Sequence, residues 1–297
     1  MLGSVLVPSI GFGLVTASIL ALAAVGFTLQ FGVTNILNLA FGDAMTASAF
    51  VAYYVYQAGG DIAVSIAAAG VFGAFASWAL NRFLYTPFVR RGTKLFGMVV
   101  VTLSVGTILQ NILLAAFGAT FFTFQIPPSH EYHVVGMTFT GLQLVIIAIA
   151  VVAMALMQLL LSKTKLGKAM RATSANAALA RVSGIATDRV IDIAWLISGL
   201  MCGIAGAVLV LNTTTFESTT GSGFLVIVVA AAVLGGVGRP VGAIVAALVL
   251  GIVTEVAAAY ITPSFKEVIA FSVLVIVLLV RPQGLFGQAA AVREVVA

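Results

Sequence analysis

Asn35, Asn38 and Asp43 lie inside an otherwise apolar stretch, with Phe41 and Gly42 between the last two. Amides and a carboxylate at such spacing hydrogen-bond a polar solute or one another; with no nucleophile and base beside them, they suit passage rather than bond-making. Ionisable side chains within a membrane span are costly and mark a path or a pairing. The run 34–42 reads as a half-helix that breaks, with backbone groups freed to face a cavity or a neighbouring helix. A second reading stays open, in which Asn38 and Asp43 cap the break. Gly235 and Gly236, in the run LGGVGRPVGA, form a counterpart interruption in the second half. Broken helices at corresponding places in two halves point to a transport site. Gln110, Asn111 and Glu255 are further candidates to face the interior, against the alternative of plain interhelical hydrogen bonds.

Other chemistry is excluded or unsupported. HExxH, GxSxG and GxxxxGK[S/T] are all absent, so the chain encodes neither a hydrolase of those types nor an ATPase. Any pumping energy comes from another chain. His130 and His133 flank Glu131, a spacing read as a solvated loop rather than a metal site. The lone Cys202 excludes an internal disulfide and any Cys-rich metal centre. With Gly199, Gly203 and Gly206 it forms a small-residue face suited to helix packing. No metal and no cofactor are expected.

The elements that must position these groups are membrane helices. Of 297 residues, 62% are hydrophobic and 8% charged, against about 25% charged in a soluble domain. A span needs about 20 apolar residues, and candidate runs fall at 7–29, 33–56, 62–84, 95–117, 142–161, 190–211, 224–237, 241–261 and 268–280. The first lacks a basic flank and is too long for a signal peptide, so it reads as a span. The run 224–237 reaches only about 21 Å at 1.5 Å per residue. If it crosses, every Lys and Arg but Lys266 falls on one side, which places the N-terminus outside and the C-terminus in the cytoplasm. If it is re-entrant, the last helices reverse; the crossing arrangement accounts for Arg281. The net charge of +5 then reflects loop bias and not nucleic-acid binding. In the outer loop 118–140, Pro127-Pro128 favours a compact irregular hairpin.

The segment 163–189 stands apart as basic yet folded. Thr164 can cap a turn carrying Leu166 and Met170, and Ser174 a second short helix over 175–183. Gly184 supplies a stop, and Asp188 suits the start of the next helix. Two short helices meeting there would expose Leu179, Val182 and Ile185 beside Lys168, Arg171 and Arg181, a docking surface for a soluble partner. A basic loop that only fixes topology needs neither caps nor apolar residues.

These residues also carry a family resemblance. The run 26–52, with Gly32, Asn35, Asn38-Leu39-Ala40, Gly42 and Asp43, resembles the N-x-A-H-G-D signature of the permease subunits of bacterial branched-chain amino acid ABC importers. The run 164–185, T-K-L-G-K-A-M-R-A-T…A-L-A-R-V-S-G-I, is similar to that family's cytoplasmic coupling loop, and 234–243 and 279–287 are similar to its later signatures. The matches run in order along nearly the whole chain. Phe41 stands where the family has His, which removes any imidazole there. Ala178 replaces an acidic residue, leaving Arg171 and Arg181 as the charged contacts.

The resemblance implies an all-α polytopic membrane protein of eight or nine transmembrane helices, some short or broken, of the type II-like ABC importer permease class. It implies one permease domain over 1–297 with a coupling loop at 163–189, set in the bacterial inner membrane. The implied partners are a second permease subunit as homodimer or heterodimer, cytoplasmic ABC ATPases, and a periplasmic or lipid-anchored solute-binding protein. The implied substrate is a branched-chain or hydrophobic amino acid, while related importers carry urea, amides or other solutes. The implied substrate path includes Asn35, Asn38, Gly42 and Asp43, and the implied ATPase contact includes Lys168, Arg171, Leu179, Arg181, Val182, Gly184 and Ile185. An ion-coupled carrier or channel working alone is the competing class.

Overall fold

A helix that is apolar on every face has no solvent side and packs at the centre of a bundle. That is the position of α1 (Leu2–Thr34), in which residues 15–30 are all buried except the half-buried Thr16. Its 33 residues make it about 50 Å long at 1.5 Å per residue. The computed structural model describes residues 2–126, 130–134, 137–281 and 284–286. Pro127-Pro128 and the chain beyond Phe286, with Arg293, lie outside the described residues.

Around α1 stand α9 (Thr187–Thr213) and α11 (Pro240–Tyr260), and against these pack α2 (Phe41–Gln57), α3 (Ile62–Ala79), α10 (Thr220–Gly235) and α12 (Lys266–Val280). Helix α3 continues through a π-helical turn, Leu80–Tyr85, into α4 (Thr86–Arg90). The rim carries α5 (Leu95–Phe117) and α6 (Gly141–Lys163). Two short helices, α7 (Lys165–Ala175) and α8 (Ala177–Val182), form one end of the bundle, called here the dock face. The far end carries β1 (Phe122–Thr123), paired antiparallel with β4 (Thr215–Phe216), and the hairpin of β2 (Glu131–Val134) and β3 (Met137–Thr140). A membrane protein of the all-α class results, its only described strands being the two short pairs at the far end, and each of the nine apolar runs contains a helix.

Six helical stretches are long and apolar enough to cross a bilayer: α1, α3 with α4, α5, α6, α9 and α11. Small residues bring the central ones together. A Cβ on Gly203 of α9 would lie 2.1 Å from the Ala69 carbonyl oxygen of α3, and one on Gly199 2.3 Å from that of Gly73. Among the described residues, every Lys and Arg except Lys266 lies at the dock face. Helix α9 ends at the far face and α11 begins at the dock face, so the chain traverses the bundle through 214–219 and α10. This is the crossing arrangement.

One span is corrected. Val33 and Thr34 complete α1 instead of opening the second span, and α2 begins only at Phe41. Because α1 overshoots toward the dock face, residues 35–40 climb back into the bundle without helical structure before α2 can start.

Candidate functional site

The climb of 35–40 leaves backbone groups without helical partners; side chains of α1 and α5 satisfy two of them, and two further side chains brace Asn38 and Phe41. Thr34 Oγ1 accepts from the Ile36 N–H at 3.3 Å. Asn35 takes φ 53°, a left-handed turn that asparagine tolerates better than most residues. From α5, the Thr102 hydroxyl donates to the Leu37 carbonyl at 2.8 Å. From the π-helical turn, the Tyr85 hydroxyl donates to Asn38 Oδ1 at 3.2 Å. Cys202 of α9 donates its S–H to the Phe41 carbonyl at 3.4 Å, so it packs and bonds but needs no further chemistry.

The start of α2 therefore lies deep in the bundle. Asp43, only 5% exposed, sets its carboxylate against Gly106, the twelfth of the 23 residues of α5 and so its midpoint. Asp43 Oδ1 has no hydrogen-bond partner among the described residues. The Asn38 side chain does not cap α2, since its oxygen is spent on Tyr85. Phe41 is fully buried and packs edge-on against Phe27, ring centroids 5.6 Å apart. It therefore fills the core instead of lining a path.

The counterpart of this break is not the one expected. Gly235 and Gly236 do form a turn, with Gly236 at φ 94°, but at the dock face, where Gly235 abuts the backbone of Gly242 and Leu285 N–H bonds the Leu234 carbonyl at 2.7 Å. What faces the first break is the start of α10. A Cβ on Gly42 would lie 2.5 Å from the Gly221 carbonyl oxygen, and Gly221 N–H donates to Thr46 Oγ1 at 2.9 Å. Two short helices thus meet N-terminus to N-terminus inside the bundle. Glu255 is elsewhere, near the far face, where its Oε1 accepts from Lys266 Nζ at 2.6 Å and Thr16 Oγ1 at 2.8 Å. Interhelical bonding is its role in this structure. His130 and His133 are exposed, and no cluster of metal-ligating residues exists among those described.

Gln110 and Asn111 require the plainest correction. The buried side of α5 presents Thr102, Val105, Gly106 and Leu113 to the bundle, so Asn111 stands exposed on the opposite side and Gln110 half-exposed beside it. Ser104 and Thr107 lie exposed at helical spacing along the same outward stripe. A shallow groove runs there beside Ile108 and Ile112. Ser104, Thr107 and Asn111 each donate to a backbone carbonyl of α5 itself, so the stripe is polar in composition with these donors satisfied in place.

At the dock face, Thr164 caps α7 by accepting from Gly167 N–H at 3.0 Å, as its position implies. The cap of α8 is Asn176, accepting from Leu179 N–H at 2.9 Å, and not Ser174. Helix α7 runs on through Ser174 because Met170 and Thr173 of its inner face are buried. Gly184 ends the pair at φ 84°. Leu179 is 64% and Val182 87% exposed, whereas Ile185 is half-buried against the core. Lys168 points to solvent beside them. Arg181 turns to Thr187 and Asp188, which also meets Arg90 at 3.6 Å. Arg171 turns back to the Leu161 carbonyl of α6. Neither arginine is therefore an unengaged outward contact.

Behind this surface a vestibule of about 590 Å³ reaches up to Asn35, walled by the Arg82–Asp192 pair at 3.5 Å. It joins the dock to the foot of the climbing segment. Thr46, Tyr85, Thr102 and Gly221 are contacts around the first break that pattern reading misses. Only the small-residue start of α10, Thr220-Gly221-Ser222-Gly223, hints at a close approach.

Comparison with known proteins bears on this geometry. The family described as "Branched-chain amino acid transport system / permease component" matches residues 9–278. The high-affinity branched-chain amino acid transport system permease protein LivH of Escherichia coli K12 is 29% identical over 291 residues, 93% of this chain and 94% of that one. BraD of Pseudomonas aeruginosa, a permease protein of the same description, is 26% identical over 292 residues with the same coverage. The ribose import permease protein RbsC of Escherichia coli K12 is 35% identical over 98 residues, 31% of this chain and 30% of that one. Among solved structures, a chain of PsaBC from Streptococcus pneumoniae in complex with Fab matches with a TM-score of 0.50 at 15% identity, covering 92% of this chain and 91% of its own.

Proposed function

The chain belongs to the branched-chain amino acid transport permease-component family, and from that premise we propose that it forms half of a translocation path for a branched-chain or similarly apolar amino acid. As an ABC transporter permease it carries solute and is not an enzyme. The path runs along the outward face of α5, between this chain and a second permease, identical or related. Ser104, Thr107 and the Asn111 amide offer hydrogen bonds there, and Ile108 and Ile112 offer aliphatic contact, which together suit a small amphiphile.

The driving force comes through the dock. The observation that carries this reading is the pair Leu179 and Val182, 64% and 87% exposed on capped, well-formed helices at the basic face. Exposed apolar side chains on an ordered surface mark a binding site for another protein, here a soluble ATPase seated against α7 and α8. Lysine and arginine bias makes the dock face cytoplasmic and the far face outer, in a bacterial inner membrane. The β1–β4 and β2–β3 end then receives a solute-binding protein. Closure of paired ATPases shifts α7 and α8, and the movement reaches the climb at 35–40 through the Arg181–Asp188–Arg90 and Arg82–Asp192 contacts.

The test is uptake into proteoliposomes containing the permease with its ATPase and binding protein. Leu179→Asp with Val182→Asp is expected to abolish substrate-stimulated ATP hydrolysis while the protein remains inserted. Uphill uptake by the purified chain alone, without ATP, would instead establish an ion-coupled carrier.

A further inference from the structure

Beneath α7, a cavity of about 360 Å³ opens between α1, α6, α7 and the turn that precedes α11. Leu29, Val33, Val241 and Phe286 line it with hydrocarbon, and Arg171 and Arg239 stand at its rim. Neither arginine has a carboxylate partner among the described residues, where the ion pairs engage Arg82, Arg90, Arg181 and Lys266. Arg171 donates to the Leu161 carbonyl and Arg239 to the Phe286 carbonyl. Each guanidinium is thus held in place by one backbone oxygen, with its other N–H groups left without a protein acceptor among the described residues.

Two fixed cations with no carboxylate partner among the described residues call for an anion, and the apolar side chains behind them call for a chain of methylenes. The position supplies both. Gly32, near the end of α1, accepts from Ser174 of α7, so the cavity lies where the membrane body meets the dock. One wall belongs to α6, which lines it with Gln158, Leu161 and Ser162. We propose that this cavity holds an anionic phospholipid, its phosphate between Arg171 and Arg239 and its first acyl carbons against Val241 and Phe286. A soluble anion would use the arginines and leave the walls bare. The site touches both α7 and the turn before α11, so its occupancy sets how firmly the dock rests on the body. The inference depends on the chain being a membrane protein and not on the substrate path proposed for α5.

The test is native mass spectrometry of the full chain, purified with its copurifying partners and offered equal phosphatidylglycerol and phosphatidylcholine of the same acyl length. A cation beside an anionic lipid contributes a factor of about five, so the intact site is expected to prefer phosphatidylglycerol by about 25-fold. Arg171→Gln with Arg239→Gln should bring the ratio close to one. Val241→Trp, which keeps both arginines and fills the apolar wall, should also remove it. Lys163→Gln with Lys165→Gln, neutralising cations of the same face outside the cavity, should leave it in place. Equal retention of both lipids by the unmodified chain would overturn the proposal, as would a preference untouched by either cavity variant. Release of phosphatidylglycerol by millimolar inorganic phosphate would overturn it too, by showing that the headgroup alone is the ligand.

Discussion

Helices α5 and α6 are each 23 residues long, both stand at the rim, and both are apolar enough to cross a bilayer. Their outward faces differ. Helix α6 shows the aliphatic Val151, Val152, Leu156 and Leu159, all more than half exposed, and exposes polar Gln158 and Ser162 only in its last two turns. Helix α5 threads Ser104, Thr107 and Asn111 between Leu103, Ile108 and Ile112. The two hydroxyls are satisfied on their own helix, Ser104 by the Val100 carbonyl at 2.9 Å and Thr107 by that of Leu103 at 3.1 Å. Asn111 donates to the Thr107 carbonyl at 2.8 Å, which leaves its amide oxygen as an acceptor facing outward. Mean hydropathy admits both helices as spans and ranks α6 the more apolar. What separates them is that the inner side of α5 is already filled by Asp43 and the climb at 35–40, so its polar stripe has only the outside to face.

The largest way to break this contrast is to remove the support behind α5. Gly42→Ala places a Cβ 2.5 Å from the Gly221 carbonyl oxygen, and is expected to cost about 3 kcal/mol or more. The check is monodisperse yield in detergent together with uptake, both of which should collapse. Converting the faces directly comes next. Asn111→Leu makes α5 resemble α6 and should lower kcat/KM for uptake by about 10- to 100-fold, as expected where a site loses its hydrogen bond to substrate. The reciprocal Leu156→Asn on α6 should change uptake by less than about threefold, its cost falling on lipid exposure alone. Equal losses from the two would erase the contrast. The smallest effect belongs to Tyr85→Phe, which deletes the buried bond to Asn38. About 1 kcal/mol is at stake, read as a drop in Tm of about 2 °C, with transport nearly unchanged.

The sequence made the helices legible and their depths less so. The apolar runs locate every membrane helix because hydrocarbon demands long apolar segments whatever their neighbours. Asn38, Gly42 and Asp43 mark the first break because such residues are costly inside a span. Its register escapes, since Val33 and Thr34 suit the end of one helix as well as the start of the next. Gly235 and Gly236 mark a second break equally well, yet it sits at the dock face, because depth depends on where α10 begins. That start, at Thr220-Gly221, is fixed by contact with Gly42, and no periodicity records a contact across the chain. The side to which Asn111 points is hidden for the same reason: a single span has an inside only once its neighbours are placed. The caps Thr164 and Asn176 show a milder form of the problem. Thr164 acts as its type implies, while Ser174 is overridden by the burial of Met170 and Thr173.

The most direct measurement places single cysteines at Thr107, Asn111 and Leu156 in a Cys202→Ala background and follows their modification by a small, charged thiol reagent in the assembled transporter. Along a water-accessible path between two permeases, Thr107→Cys and Asn111→Cys should react and be protected by leucine or valine, while Leu156→Cys, in lipid, stays unreactive. If all three positions stay equally inert, with and without substrate, α5 is as lipid-facing as α6 and the proposed path is wrong.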